Sequence, residues 1–392
     1  MSEGIRKESL DSGRRTPDPP ANRKPGAESG LSSGEPAARR ANLKAEEGTG
    51  SRPRIALITP EHAGGDKGGA ERLYEGLRLA LFSAGVSADL LPIRTDESTF
   101  SSIQESLLRF YDLDLSSYDG VISTKTPSYC VRHPNHVCYL VHTMRVFYDM
   151  FEIEYPNPTQ EKHDQRSLIQ QLDTGFLART RRLFAIGHEV RERLLRWNGL
   201  DAEVLHPGVQ VDAFKPGRFD FVFIPSRLHR WKRIDLVIQA FRHVSAPVRL
   251  KIAGIGEDAP SLKQLAEGDS RIEFLGYISD RELVENYSNA LVVPFCPVRE
   301  DYGYVTLEAF LSEKPVITCE DSGEPKWFVK DGINGFVCPP DPRAIAERID
   351  RLYSEPGLAY RMGRSGKESI SHIRWDDVAR SLLGALNISP SQ

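Results

Sequence analysis

The sequence predicts an α/β fold of two parallel sheets, each covered by helices. Apolar runs of strand length alternate with amphipathic helical segments along most of the 392 residues, the pattern of repeated strand–helix–strand units. The ordered length suits two domains of ordinary size. Charged loops directly follow two of the apolar runs, at the strand ends where open α/β sheets gather their ligands.

Residues 1–53 mix charges of both signs with Ser, Gly and Pro and carry almost no large apolar side chains. Such a segment cannot bury enough surface to offset chain entropy, so it reads as a disordered tail. It also lacks the apolar stretch and cleavage site of a secretory signal. Order begins at the strand RIALITP, followed by the glycine-rich HAGGDKGG and the helix AERLYEGLRLALFSAG. VISTKTP is strand then turn, and CYLVHTMRVFYDMFE is a strand that delivers His142 to a loop with Thr143 and Arg145. DQRSLIQQLDTGFLARTRRLFAIG reads as helical and leads into the helix EVRERLLRWNGL. In the second half FVFIPS, RIEFLG and ALVVPF are strand runs, VTLEAFL has helical spacing, and HIRWDDVARSLLGAL closes the chain as an amphipathic helix.

The chemistry concentrates in two of these junctions. Glu300 and Glu308 stand eight positions apart in REDYGYVTLEAF. Gly303 breaks the pattern between them, which puts Glu300 on a loop and Glu308 on a helix. The first N–H groups of a helix lack partners and attract anions, so a diphosphate could dock on Tyr304, Val305 and Thr306. Two carboxylates beside a phosphate site need hydroxyl donors, which a sugar and a ribose supply. Arg227 and Lys232 follow the strand FVFIPS and can offset charge that builds on a departing diphosphate. The bland alternatives are a pair of solvated helix-start acids and a solvated basic face.

The ordered succession SRLHRWKRIDLVIQAF, LKIAGIGEDAPSLKQLA, RIEFLGYISDREL, REDYGYVTLEAFLSEKPVIT and DGINGFVCPPDPRAIAERI resembles the nucleotide-sugar-binding half of the GT4-type retaining glycosyltransferases, the glycosyl transferases group 1 family of GT-B fold. The resemblance implies two Rossmann-like domains facing a central cleft, placed here at 54–208 and 209–370. A crossover helix over 371–392 would return to the first domain. It implies that Arg227 and Lys232 bind the donor diphosphate, Glu300 contacts the transferred sugar and Glu308 holds the nucleotide ribose. The backbone from Gly303 through Tyr304 and Val305 to Thr306 would cap the phosphates. Tyr277 and Ile278 would cradle the base, Gly254 would let a ligand come close, and His142 would stand beside the reactive carbon of the sugar. Gly68 and Gly69 would line the cleft near the phosphates and the acceptor. Two departures from the family pattern stand out: Met144 where proline usually follows the His-Thr pair, and Ile186-Gly187-His188 in place of an Asn-Ser step.

Composition narrows the partners. A net charge of −4 and a pI near 6.2 argue against a dedicated nucleic-acid binder. The five cysteines, Cys130, Cys138, Cys296, Cys319 and Cys338, show no CxxC spacing, so neither a disulfide framework nor a zinc cage is indicated. A cytoplasmic location fits. No run reaches the about 20 apolar residues of a membrane span, which leaves only peripheral membrane contact. The expectation is a retaining transferase that moves a sugar from a UDP- or GDP-linked donor to a hydroxyl of a glycan, lipid or small-molecule acceptor. It would need no cofactor and no metal, and would serve polysaccharide, lipid-linked glycan or glycoconjugate synthesis. The alternatives are a nucleotide-sugar epimerase on the same scaffold and a non-catalytic sugar-nucleotide-binding protein.

Overall fold

The computed structural model describes residues 52–62, 69–209 and 214–389. All but the end of the expected tail, and the glycine turn up to Gly68, lie outside them. The first sheet holds β1 (Arg54–His62), β2 (Ser87–Thr95), β3 (Gly120–Ser123), β4 (His136–Leu140), β5 (Arg182–Ala185) and β6 (Glu203–Val204), in the order β2-β1-β3-β4-β5-β6. The second holds β7 (Phe221–Pro225), β8 (Arg249–Ala253), β9 (Ile272–Gly276), β10 (Ala290–Pro294), β11 (Val316–Cys319) and β12 (Gly335–Cys338), in the order β12-β11-β10-β7-β8-β9. Every pairing is parallel.

Parallel sheets bury both faces, which is why β3, β4, β7 and β10 are buried at every position and read as continuous apolar runs. Helix boundaries follow local chemistry. Ser279 and Glu282 form a reciprocal capping box at the start of Asp280–Asn289. Gly199, at φ 63°, ends His188–Asn198 in the left-handed region.

One expected helix is corrected. The helix beginning at Gln160 stops at Leu177, and Arg182–Ala185 is strand β5. The run LFA is too short for its period to separate strand from helix. Pairing of this segment with β4 on one side and β6 on the other makes it a strand, with Phe184 and Ala185 buried.

The order of the second sheet reverses between β10 and β7. Chains leaving these two neighbouring strands turn to opposite sides and open a crevice at the carboxyl ends. Both charged loops emerge there. One apolar cluster joins Ile55–Ile58 of β1 to Leu307 and Phe310 of the second half, so the two sheets share a continuous core. The last helix, Trp375–Ala385, packs on the first, Gly69–Ser83: a Cβ at Gly76 would lie 2.6 Å from the Trp375 indole. Among the described residues no helix is long and apolar enough to cross a membrane.

His136 supplies a test of this core. It is buried on β4, its Nε2 is 2.7 Å from Ser123 Oγ, and burial lowers its pKa to about 4. An unfolded histidine takes up its proton near pH 6.5, so between pH 6.5 and 4 the unfolded state binds more protons and stability falls as pH falls. The loss from this residue is on the order of 3 kcal/mol. Chemical denaturation of His136→Asn from pH 7 to 4 should show a flatter profile than the wild type; an identical slope would refute the assignment.

Candidate active site

The loop after β7 closes in a helical turn at Arg230–Lys232, which aims Lys232 across the crevice. Its Nζ donates to both oxygens of Glu300, at 2.7 and 2.6 Å, and the two side chains are 24% and 18% exposed. Glu300 belongs to the loop after β10. That loop is fastened to the one after β11: Glu300 N–H donates to the Ser322 carbonyl (2.9 Å), and Glu324 N–H donates to the Glu300 carbonyl (2.8 Å). Gly303, at φ 81°, then turns the chain into the helix Tyr304–Leu311.

Tyr304 and Val305, the first two residues of that helix, carry N–H groups with no partner inside it. Thr306 departs from the sequence expectation. Its N–H already donates to the Gly303 carbonyl at 2.9 Å, so the anion-facing pair is Tyr304 and Val305. Glu308 lies one turn further and only 12% exposed. Tyr287 donates to its Oε2 at 2.7 Å, and Arg72 of the first half approaches Oε1 at 3.6 Å. Burial raises the Glu308 pKa, partly offset by Tyr287 and Arg72. Arg72 also bonds Asp280 at 2.9 Å. Gly69 opens the helix that carries Arg72.

Arg227 follows β7 with a guanidinium 65% exposed and 3.7 Å from Glu257. Tyr277 and Ile278 follow β9, the tyrosine 80% exposed. Gly254 has a different reason from the one its sequence suggested. At φ 137° a Cβ there would lie 1.9 Å from the Ser226 carbonyl, so the close approach is made by the protein's own backbone.

From the first half, His142 projects two residues beyond β4. Its Nδ1 is 2.8 Å from the Thr143 carbonyl, which places the proton on Nδ1 and the lone pair on Nε2. Burial, reinforced by the Lys125 ammonium, lowers its pKa to about 4, so the ring is neutral at pH 7. Asp301 and Arg193 are among its charged neighbours.

Sequence reasoning passed over the charges beneath these side chains. Arg193, 1% exposed, lies between Asp149 (2.8 Å) and Asp301 (2.6 Å). Burial favours the neutral acid at Asp301, but Arg193, Arg145 and His142 outweigh it and hold the pKa below the usual range. Arg145 donates to the Val298 carbonyl at 2.9 Å and lies over the Trp231 ring, whose Nε1 donates to Glu154 Oε1 at 2.7 Å. Arg230 also pairs with Glu154. The adjacency of Asp301 to Glu300 was the one signal in the sequence; nothing local marks Arg193 as its partner.

Residues 210–369 match the family described as Glycosyl transferases group 1. The D-inositol 3-phosphate glycosyltransferase of Streptomyces bingchenggensis is 29% identical over 231 residues, half of each chain. Human alpha-1,3/1,6-mannosyltransferase ALG2 is 27% identical over 44% of this chain and 48% of its own. The chain thus spans about half the length of these relatives. Among solved structures, sucrose-phosphate synthase from Thermosynechococcus elongatus superposes with a TM-score of 0.69 at 19% identity, over 86% of this chain and 98% of that one. Anabaena Alr3699/HepE in complex with UDP and glucose gives 0.64 at 15% identity, over 86% and 100%. With two six-stranded parallel sheets the chain has the GT-B fold, and its second half, residues 210–369, matches the glycosyl transferases group 1 family model.

Proposed function

We propose that this protein is a retaining glycosyltransferase that takes a sugar from a nucleoside diphosphate donor and passes it to an acceptor hydroxyl. The observation that carries this reading is the meeting of Lys232, Glu300 and the start of Tyr304–Leu311 at the switch point of the second sheet, with Glu308 one turn deeper. The D-inositol 3-phosphate and alpha-1,3/1,6-mannosyl relatives and the UDP and glucose bound to the Anabaena protein support the same substrate class.

In this reading Glu308, presented by Tyr287, accepts hydrogen bonds from the ribose hydroxyls. The N–H groups of Tyr304 and Val305 and the cations of Lys232 and Arg227 receive the diphosphate. As the anomeric C–O bond breaks, negative charge moves onto the phosphate oxygens, where these fixed groups lower the barrier. They neutralise the leaving group without a metal. The neutral His142 offers Nε2 to a sugar hydroxyl, and Glu300, released from Lys232 as phosphate takes the ammonium, faces the positive charge developing on the sugar. The leaving phosphate takes the proton of the acceptor hydroxyl on the same face, which gives retention. The acceptor is a glycan, lipid or small molecule bound by the first half, and a lipid acceptor would bring peripheral membrane contact.

Nucleotide binding tests this directly. A ligand at about 100 times its Kd stabilises a protein by about 2.7 kcal/mol, so UDP or GDP should raise the melting temperature. Glu308→Gln keeps an acceptor for Tyr287 but loses the charge that grips ribose. It should weaken the preferred nucleotide about 10-fold while leaving inorganic pyrophosphate affinity unchanged. Equal nucleotide affinity in variant and wild type would overturn the ribose role.

A further inference from the structure

The Ile186-Gly187-His188 step, one of the departures from the family pattern, meets a second unusual feature in the tertiary structure. Glu324 is completely buried, and its ion-pair partners among the described residues are His188 (Nδ1 to Oε1, 3.0 Å) and His206 (3.9 Å). One donor atom from each of the three lies within 4.8 Å of the others. We propose that His188, His206 and Glu324 form a binding site for one divalent transition-metal ion of the zinc class, at the seam between the two halves.

The donor set is the first argument. Two imidazoles and one carboxylate, completed by water, are a recognised three-protein-ligand set for Zn(II), whereas Mg(II) and Ca(II) prefer all-oxygen sets. Bonds of about 2.0–2.1 Å place tetrahedral ligand atoms roughly 3.4 Å apart. The His188–Glu324 separation of 3.0 Å is already near that, and turning the two rings closes the rest.

Orientation is the second. Metal ligands are held by outer partners that fix their direction. Glu189 N–H donates to Glu324 Oε2 at 2.9 Å, which turns Oε1 toward both rings. Trp327 stacks on His188 with ring centroids 4.4 Å apart and planes at 16°. His206 faces Glu324 Oε1 through Nδ1 (3.9 Å), the nitrogen that also lies 3.1 Å from the Ile186 carbonyl, so on binding an ion that nitrogen gives up its proton and the carbonyl contact for the metal. Gly187 permits the contact, because a Cβ there would lie 2.5 Å from the Glu324 carboxyl carbon.

Charge is the third. A fully buried carboxylate costs free energy unless a cation compensates it, and neither histidine carries a permanent charge. A divalent ion supplies that charge. His188, 34% exposed, lines a surface groove with Arg191 and Asp201 that gives an ion a route from solvent. The ion would join three segments: the start of His188–Asn198, the stretch after β6, and the loop after β11 that is hydrogen-bonded to Glu300. Its place is structural, holding the two halves in register behind the Glu300 loop.

The test uses the tag-free full chain, freed of metal with a chelator and dialysed, then titrated with Co(II) and Zn(II). Zn(II) affinity is read by competition with a chromophoric chelator. Co(II) should give the intense visible absorption of a four-coordinate ion at one equivalent per chain, displaced by Zn(II). His206→Ala and His188→Asn should each bind Zn(II) at least about 100-fold more weakly, as expected when a ligand rather than an outer partner is lost. His243→Ala, at an exposed histidine elsewhere, should bind as the wild type does. His188→Asn decides the matter if His206→Ala fails to fold. No absorption band, or wild-type Zn(II) affinity equal to that of His188→Asn, overturns the site. Neither donor nor acceptor enters these measurements, so the outcome is independent of the glycosyltransferase assignment.

Discussion

Replacing Lys232 with alanine is expected to lower kcat for sugar transfer by about 10²–10³-fold, the effect of deleting one preorganised charge at a transition state. Lys232 Nζ lies 2.6 Å from a Glu300 oxygen, and in the proposed reading a phosphate oxygen of the donor takes the place of that carboxylate. The variant loses stabilisation of the leaving group and also leaves Glu300, 18% exposed, without its counter-ion. Lys232→Arg keeps the charge but replaces a compact ammonium with a planar fork, so it should recover only part of the rate. Arg227→Ala should fall less, because a group 65% exposed is well screened. Nucleotide release measured with UDP- and GDP-sugars against an acceptor panel separates kcat from KM. An unchanged kcat in both Lys232→Ala and Arg227→Ala would refute the diphosphate assignment.

Arg193→Met should destabilise the protein by about 3–5 kcal/mol, the range for removing one partner of a buried ion pair. The guanidinium is 1% exposed and faces two carboxylates, Asp149 and Asp301. Methionine fills much of the volume but leaves the charges of the buried Asp149 and the part-buried Asp301 without their shared cation, with Arg145, 3.6 Å from Asp149, remaining. Adding Asp149→Asn to the variant removes one of them and should restore part of the loss, a coupling that a purely steric role for Arg193 would not show. Urea denaturation at pH 7 gives both values. A single-variant loss below 1 kcal/mol, or strict additivity of the pair, would show that Arg193 does not compensate these acids.

Much of this molecule was legible in the chain. Continuous apolar runs such as FVFIP and ALVVP have the length of strands buried on both faces, and Gly303 before VTLEAFL marks a turn into a helix; both readings agree with the structure. Glu300 on the loop and Glu308 on the helix followed from that placement, as did Lys232 beyond the end of β7. Where the reading slipped, it did so on short or shared signals. RLFA was too brief to show a period and became β5, while the N–H of Thr306 was claimed by the turn that starts its own helix. Gly254 serves the Ser226 carbonyl, a demand invisible without the neighbouring strand.

By itself the sequence determined the more strongly patterned strands and helices, among them β1, β7, β10 and the helix after Gly303, and which loops carry charge, because hydrophobic period, turn residues and capping act over a few neighbouring residues. The tertiary structure alone decided which charges meet: Arg193 with Asp301, Arg72 with Glu308, and His188 with Glu324, the last pair 136 positions apart. The physical reason is range. A side chain's partner across the crevice depends on how two separately formed sheets dock, and that docking is fixed by the summed burial of a shared core rather than by any local pattern.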